Sequence, residues 1–202
     1  MSEPFRILCF GDSNTYGFDP RFGAADRLEK HERWTGRLDS MPEFEIYNEG
    51  MNGREIPHST WDFDNFSQIL QRYQRVDLTV LMLGSNDLFH IPHVEAKDLV
   101  ERWRRVFAKV PELSGRRILF LAPPAVHFDG NERDRQSTKA SLEMGKAYKA
   151  FAKEYGLAFA DTNDWGITMQ YDGVHFSAKG HEMFTKKILP ILQHMMYNRE
   201  NN

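Results

Sequence analysis

Short runs in which nearly every position is apolar alternate along the chain with longer stretches in which apolar residues recur at helical spacing. The short runs are FRILCF from Phe5, FEIYN from Phe44, DLTVLML from Asp77, RRILFLA from Arg116 and LAFAD from Leu157. Runs of this kind, mostly β-branched or aromatic, suit strands in a sheet interior. Among the longer stretches, STWDFDNFSQILQRYQ opens with Ser59 in position to cap a helix and carries Phe63, Phe66, Ile69, Leu70 and Tyr73 at helical spacing. The segments His93 to Lys109, Arg133 to Tyr155 and Ser177 to Tyr197 show the same period. The alternation predicts an α/β fold with five parallel strands and crossover helices on both faces of the sheet. Ligands of such sheets collect at the carboxyl ends of the strands.

At 202 residues, with no repeat, low-complexity tract or linker, the chain is expected to form one domain over residues 1–202. That length buries roughly 70% of the surface the unfolded chain exposes, so a core forms without disulfides. Cys9 is the only cysteine and lies inside the first apolar run, where it reads as a small buried hydrophobe. With 26 basic and 29 acidic side chains the net charge is −3, which argues against nucleic acid or an anionic membrane as the main partner. Small neutral molecules remain. MSEPFR is polar and leads directly into the first strand without a signal-peptide core, so the expected location is the cytoplasm. Nine methionines and the loops allow a homo-oligomer without demanding one.

Polar groups just past the strand ends supply the chemistry. FGDSNTYG places Ser13 beyond the first run, between Asp12 and Asn14, residues that hold sharp turns and cap helices. EGMNGRE follows the second run and contains Gly53, GSNDLF follows the third and contains Asn86, and the segment after the fifth has Asp172 three residues before His175. Acyl transfer from an ester needs a nucleophile, a base, a group that orients the base, and donors for the oxyanion. Ser13 fits the first need, His175 the second because imidazole titrates near working pH, and Asp172 the third by fixing the ring tautomer. The Ser13 N–H, the Gly53 N–H and the Asn86 side-chain amide fit the fourth. Trp34, Phe89, Trp165 and Phe176 lie close in sequence to these loops and are candidates, with Asp12, to border the substrate. His181 falls on the last predicted helix and is assigned to the core.

The four strings GDSN at Gly11, the glycine Gly53, GSND at Gly84 and DGVH at Asp172, in that order, resemble the signature blocks of the SGNH, or GDSL-type, hydrolases. The resemblance implies a flavodoxin-like three-layer α/β/α sandwich and a serine esterase that requires neither metal nor organic cofactor. It also implies Ser13 as nucleophile, Gly53 and Asn86 as oxyanion donors, and Asp172 and His175 as the rest of the triad. Asn14 stands where the GDSL name has leucine. Gly50, three residues before Gly53, competes for the glycine's role. RWTGRL at Arg33 resembles a string of the arylesterase and acyltransferase branch, whose members act on short acyl esters. The implied reaction is hydrolysis of short acyl esters, acetyl first among them and carbohydrate esters included, or acyl transfer by the same triad.

Two other readings use the same residues. Asp12, Asp87, Asp172, His175 and His181 resemble a hard-cation set for phosphoester hydrolysis. A noncatalytic module would use the strand-end crevice to bind a small ligand. Residues 17–34 lack a clear period and are expected to form a lid or an oligomer contact.

Overall fold

A computed structural model describes residues 3–21, 26–127 and 130–200. In chain order its strands are β1 (Phe5–Gly11), β2 (Phe44–Gly50), β3 (Leu78–Met82), β4 (Ile118–Ala122) and β5 (Ala158–Asp161). The helices are α1 (Ser13–Tyr16), α2 (Trp34–Asp39), α3 (Thr60–Arg72), α4 (Asp87–His90), α5 (Ala96–Lys109), α6 (Glu132–Glu154) and α7 (Ala178–Glu200). All strand pairs are parallel and the order is β2-β1-β3-β4-β5. The chain leaves β1 toward one edge and returns beside it as β3 to build the other half. That reversal opens a crevice at the carboxyl ends of β1 and β3.

Strand residues alternate between two cores, as the period of two demands. Phe5, Ile7 and Cys9 of β1, with Leu78, Val80 and Met82 of β3, meet Trp34 and Leu38 of α2 and Phe184, Ile188 and Leu192 of α7. Leu8, Phe10, Leu81 and Phe120 face the opposite way, against Phe66 of α3, Trp103 of α5 and Tyr148 of α6. The result is the three-layer sandwich expected from the sequence. Cys9 is buried, and burial pushes its thiol pKa well above the ordinary value. Among the described residues no helix is long and apolar enough to cross a membrane.

The long helices match their periodic stretches, and local chemistry sets their ends. Ser59 accepts from the Asp62 N–H while Asp62 accepts from Ser59, a reciprocal cap that starts α3. At α5 the Asp98 carboxylate accepts from the Glu95 N–H at 2.8 Å, and the helix begins at Ala96 and not at His93. The one-turn helices α1 and α4 have no counterpart in the periodicity, because a single turn is too short to repeat. Of the stretch 17–34, residues 22–25 lie outside the described residues. The flanking parts fold back on each other through a Phe18–Arg27 bridge, and Leu28 is buried.

His181, at the start of α7, is buried beneath α2, and its Nδ1 accepts from the Trp34 N–H at 3.3 Å. Burial, reinforced by Arg37 and Arg33, lowers its pKa from 6.5 to about 3. In the unfolded chain the same ring takes up a proton near 6.5, so between that pH and about 3 unfolding binds a proton that the native state does not hold. The contribution is therefore fully present above pH 6.5 and is lost as pH falls, at a slope of about 1.4 kcal/mol per pH unit. Urea denaturation between pH 7 and 5 should show a steeper acid loss for wild type than for His181→Gln, by one proton's worth. Parallel curves would refute the buried neutral histidine.

Candidate active site

The nucleophile turn is built by Asp12. Its Oδ1 accepts from the Asn14 N–H at 2.9 Å, which caps α1 and leaves Ser13 as the first residue of a single helical turn. Ser13 is 6% exposed. Its Oγ lies 3.0 Å from Nε2 of His175, and Nδ1 of the same ring lies 2.7 Å from Oδ2 of Asp172. An ionised carboxylate only accepts, so Nδ1 carries the proton and Nε2 presents its lone pair to the serine hydroxyl. The arrangement can take a proton from Oγ and hold the resulting imidazolium against a carboxylate.

Asp172 also accepts from the Val174 and His175 N–H groups at 2.9 and 3.0 Å. Burial pushes its pKa up, but these donors and the His175 ring outweigh that and leave it below the ordinary carboxylate value. The loop closes tightly, with the Gln170 N–H on the His175 carbonyl at 2.6 Å and a bridge between Met169 and Phe176. Phe18 packs edge-on to the His175 ring at 4.6 Å.

Asn14 fastens this loop to the nucleophile turn. Its Nδ2 donates to the Val174 carbonyl at 3.1 Å and its Oδ1 accepts from the Phe176 N–H at 2.8 Å, on either side of His175. The position beside Ser13 thus does more than shape its own turn. Nothing in the local sequence signals this contact, because its partners lie 160 and 162 residues away.

Among the described residues neither the Ser13 N–H nor the Gly53 N–H donates to a protein acceptor. Gly53 has φ of 71°, a left-handed conformation that favours glycine. Gly50 is different, because its N–H donates to Asn48 Oδ1 at 2.9 Å. A Cβ there would stand 2.1 Å from the Tyr16 nitrogen, so Gly50 serves the close approach of β2 to α1. Asn86 Nδ2 donates one hydrogen to the Arg54 carbonyl at 3.0 Å, which ties its amide to the residue after Gly53. The second amide hydrogen has no protein partner among the described residues.

Arg54, which is not among the candidates from sequence, reaches beneath the turn. Its Nη1 donates to the Gly11 carbonyl at 2.9 Å and to the Glu49 carbonyl, and its guanidinium lies over the Phe10 ring at 4.1 Å. Burial lowers its pKa to about 10, while Glu49 and Asp12 oppose the shift. Burial raises the Asp12 carboxyl to about 6, against the pull of the Asn14 N–H, His175 and Arg54.

Four of the substrate-bordering expectations are corrected. Asp12 is 1% exposed, and its carboxylate serves as the α1 cap. Trp34 is fully buried, donates from Nε1 to the Asn14 carbonyl and packs on Phe184. Trp165 is half-buried and packs on Phe184 at 5.0 Å, against the core beneath α7. Phe176 is likewise core. Phe89 alone stays on the surface, at 38% exposure. The apolar groups beside Gly53 are Met51 and Trp61, which line a cavity of about 140 Å³ with Phe10, Arg54 and His58. The hard-cation set is not gathered. Asp87 is engaged by Arg102 and the Ile56 N–H, His181 lies buried under α2, and no group of three His, Cys, Asp or Glu among the described residues is arranged for a metal ion.

Known proteins resemble this chain in sequence and in fold. A sequence model of the GDSL-like lipase/acylhydrolase family matches residues 9–183. A GDSL esterase/lipase of Arabidopsis thaliana is 26% identical over 136 residues, covering 57% of this chain, which spans 44% of that relative's length. A carbohydrate acetylesterase family member from Sinorhizobium meliloti superposes with a TM-score of 0.80 at 24% identity, over 94% of this chain and 98% of that one. The native aryl esterase of M. smegmatis gives 0.77 at 22% identity, over 94% and 99%. At these identities the solved structures show a shared fold.

Replacing Asn14 by Ala leaves the Val174 carbonyl and the buried Phe176 N–H without partners, at a cost of about 1–3 kcal/mol each if water does not reach them. Asn14→Ala is expected to lower Tm and, because the His175 loop loosens, to lower turnover of an acyl ester. Unchanged melting and unchanged turnover would show that the loop does not depend on this amide.

Proposed function

The chain belongs to the GDSL-like lipase/acylhydrolase family, and we propose that it is a serine esterase that hydrolyses short-chain acyl esters of small molecules through an acyl-Ser13 intermediate. One observation carries the reading: Ser13 Oγ, the His175 ring and the Asp172 carboxylate form a continuous relay with steps of 3.0 and 2.7 Å. In the first step Oγ attacks the ester carbonyl carbon and its proton passes to Nε2 of His175. Negative charge moves to the carbonyl oxygen, where the N–H groups of Ser13 and Gly53 and the free hydrogen of the Asn86 amide are suited to receive it. The tetrahedral species collapses, Nε2 returns the proton to the departing alkoxide, and the acyl group stays on Oγ. Water then attacks the acyl carbon with His175 again as base, releasing the acid and restoring Ser13.

The description of the Sinorhizobium meliloti neighbour supports acetylated carbohydrates as a substrate class. A cytoplasmic setting accords with a lone buried thiol at Cys9.

Intact-mass labelling with a serine-directed phosphonate is expected to add one adduct to wild type and none to Ser13→Ala; equal labelling of that variant would remove Ser13 as the nucleophile. Across p-nitrophenyl esters of rising chain length, kcat/KM should be highest for acetyl or propionyl and fall beyond them. A maximum at long chains would contradict the short-acyl reading.

A further inference from the structure

Behind the two loops that carry Gly53 and Asn86 lies a cluster of charged side chains that the proposed chemistry does not use. Asp87, the residue after Asn86, is fully buried. Its Oδ2 accepts from the Ile56 N–H at 3.1 Å and its Oδ1 from Arg102 Nη1 at 2.7 Å. The same Nη1 donates to Glu55 Oε2 at 2.5 Å and lies 3.3 Å from His58 Nδ1. Arg102 comes from α5, whose core-facing residues include Leu99, Trp103 and Val106, so its stem starts from a packed helix. Together with the Asn86 amide on the Arg54 carbonyl, these bonds join residues 86–87 to residues 54–56 at three points.

We propose that Arg102 is a positioning residue that sets the distance and direction of the Asn86 and Gly53 donors by clamping Asp87 and Glu55. The inference rests on the esterase reading given above. A flexible pair of loops could supply the same donors, but donors act on a developing charge only when they are held at its position beforehand. Asp87 and Glu55 are like charges brought to one guanidinium, and neither loop would keep its carboxylate at that place without it. A single nitrogen, Nη1, reaches both carboxylates, so the stem from α5 fixes the one point toward which both loops are drawn.

A purely structural ion pair would affect stability alone, so the test reads turnover and its pH dependence. The charged and titratable groups around Asp87 are Arg102, Glu55, Asp12 and Tyr148, with His58 and His90 joined to them through Arg102 and Glu55. Burial raises the Asp87 carboxyl to about 6, and Arg102 is the strongest influence holding it down. Removing Arg102 therefore makes Asp87 bind its proton more tightly, and a protonated Asp87 is a weaker acceptor for the Ile56 N–H.

With p-nitrophenyl acetate, Arg102→Gln is expected to lower kcat about ten- to a hundredfold, as misplaced catalytic groups do, with KM nearly unchanged. The acid limb of its kcat profile should move to higher pH. Arg102→Lys keeps the charge but is shorter and does not place its nitrogen where Nη1 sits, so its kcat should be intermediate and its acid limb close to wild type. A folded Arg102→Gln with the kcat and acid limb of wild type overturns the proposal, as does a change confined to KM. Should Arg102→Gln fail to fold, Arg102→Lys and Glu55→Gln, which both leave Asp87 with a counter-charge, decide the matter: reduced kcat in the folded variants supports the clamp, and wild-type kcat in both overturns it. Phosphonate labelling separates the two levels of the argument. A wild type that neither labels at Ser13 nor hydrolyses the ester defeats the esterase reading, whereas an active, labelled wild type with indifferent Arg102 variants defeats only the clamp.

Discussion

The site depends on one docking event: the loop from Thr168 to Ser177, next to the last helix, is held against the turn that follows the first strand. Asn14 makes that contact with both ends of its amide, through the Val174 carbonyl and the Phe176 N–H. The relay from Ser13 to Asp172 passes across the same seam, and Phe176 enters the core beside Phe184 a residue later. A hydroxyl and an imidazole so far apart in the chain meet only because the core beneath them is packed and the amide above them is satisfied. The single-residue cap at Asp12 matters for the same reason, since it sets which way the turn presents Ser13.

Charge is buried around this seam to an unusual degree. Asp12 and Asp87 are almost completely withdrawn from solvent, and both carboxyls are raised to about 6 by that burial. Arg102 pairs with Asp87, and the Asn14 N–H, His175 and Arg54 oppose the shift at Asp12. Buried pairs of this kind contribute little net stability compared with apolar packing, because desolvation offsets most of the attraction. Their arrangement here follows the strand ends of β1, β2 and β3, where backbone carbonyls and N–H groups lose their sheet partners. The guanidinium of Arg54 satisfies the carbonyls of Gly11 and Glu49, and the carboxylate of Asp87 satisfies the N–H of Ile56. The polar interior thus completes the hydrogen bonding of loops that must stop short of the crevice.

Much of the fold was legible because it rests on local period. Leu78 to Met82 and Ile118 to Ala122 are buried at every position, and runs with no polar residue except Thr79 announce that directly. The reciprocal cap at Ser59 and Asp62 is likewise written within four consecutive residues. The aromatic side chains were less legible. Trp34 and Trp165 sit near strand-end loops in sequence, yet both turn toward Phe184, because α7 offers a large apolar face there and a tryptophan gains more by filling it than by lining a wet cleft. Trp61, on the first turn of α3, remains 67% exposed beside Gly53.

The amino-acid sequence by itself determined the strand and helix period, the parallel three-layer architecture, the order of the four polar blocks and the placement of each at a strand end. These follow from the spacing of apolar residues and from turn chemistry, which act over a few positions. Only the tertiary structure decided that Asn14 bridges to the His175 loop, that Gly50 is a contact glycine against Tyr16, that Arg54 reaches the Gly11 carbonyl, and that Arg102 reaches the carboxylates of Glu55 and Asp87. Each of these is a hydrogen bond or a steric contact between segments brought together by the sheet, and no local pattern encodes the partner of a polar atom when that partner is tens of residues away.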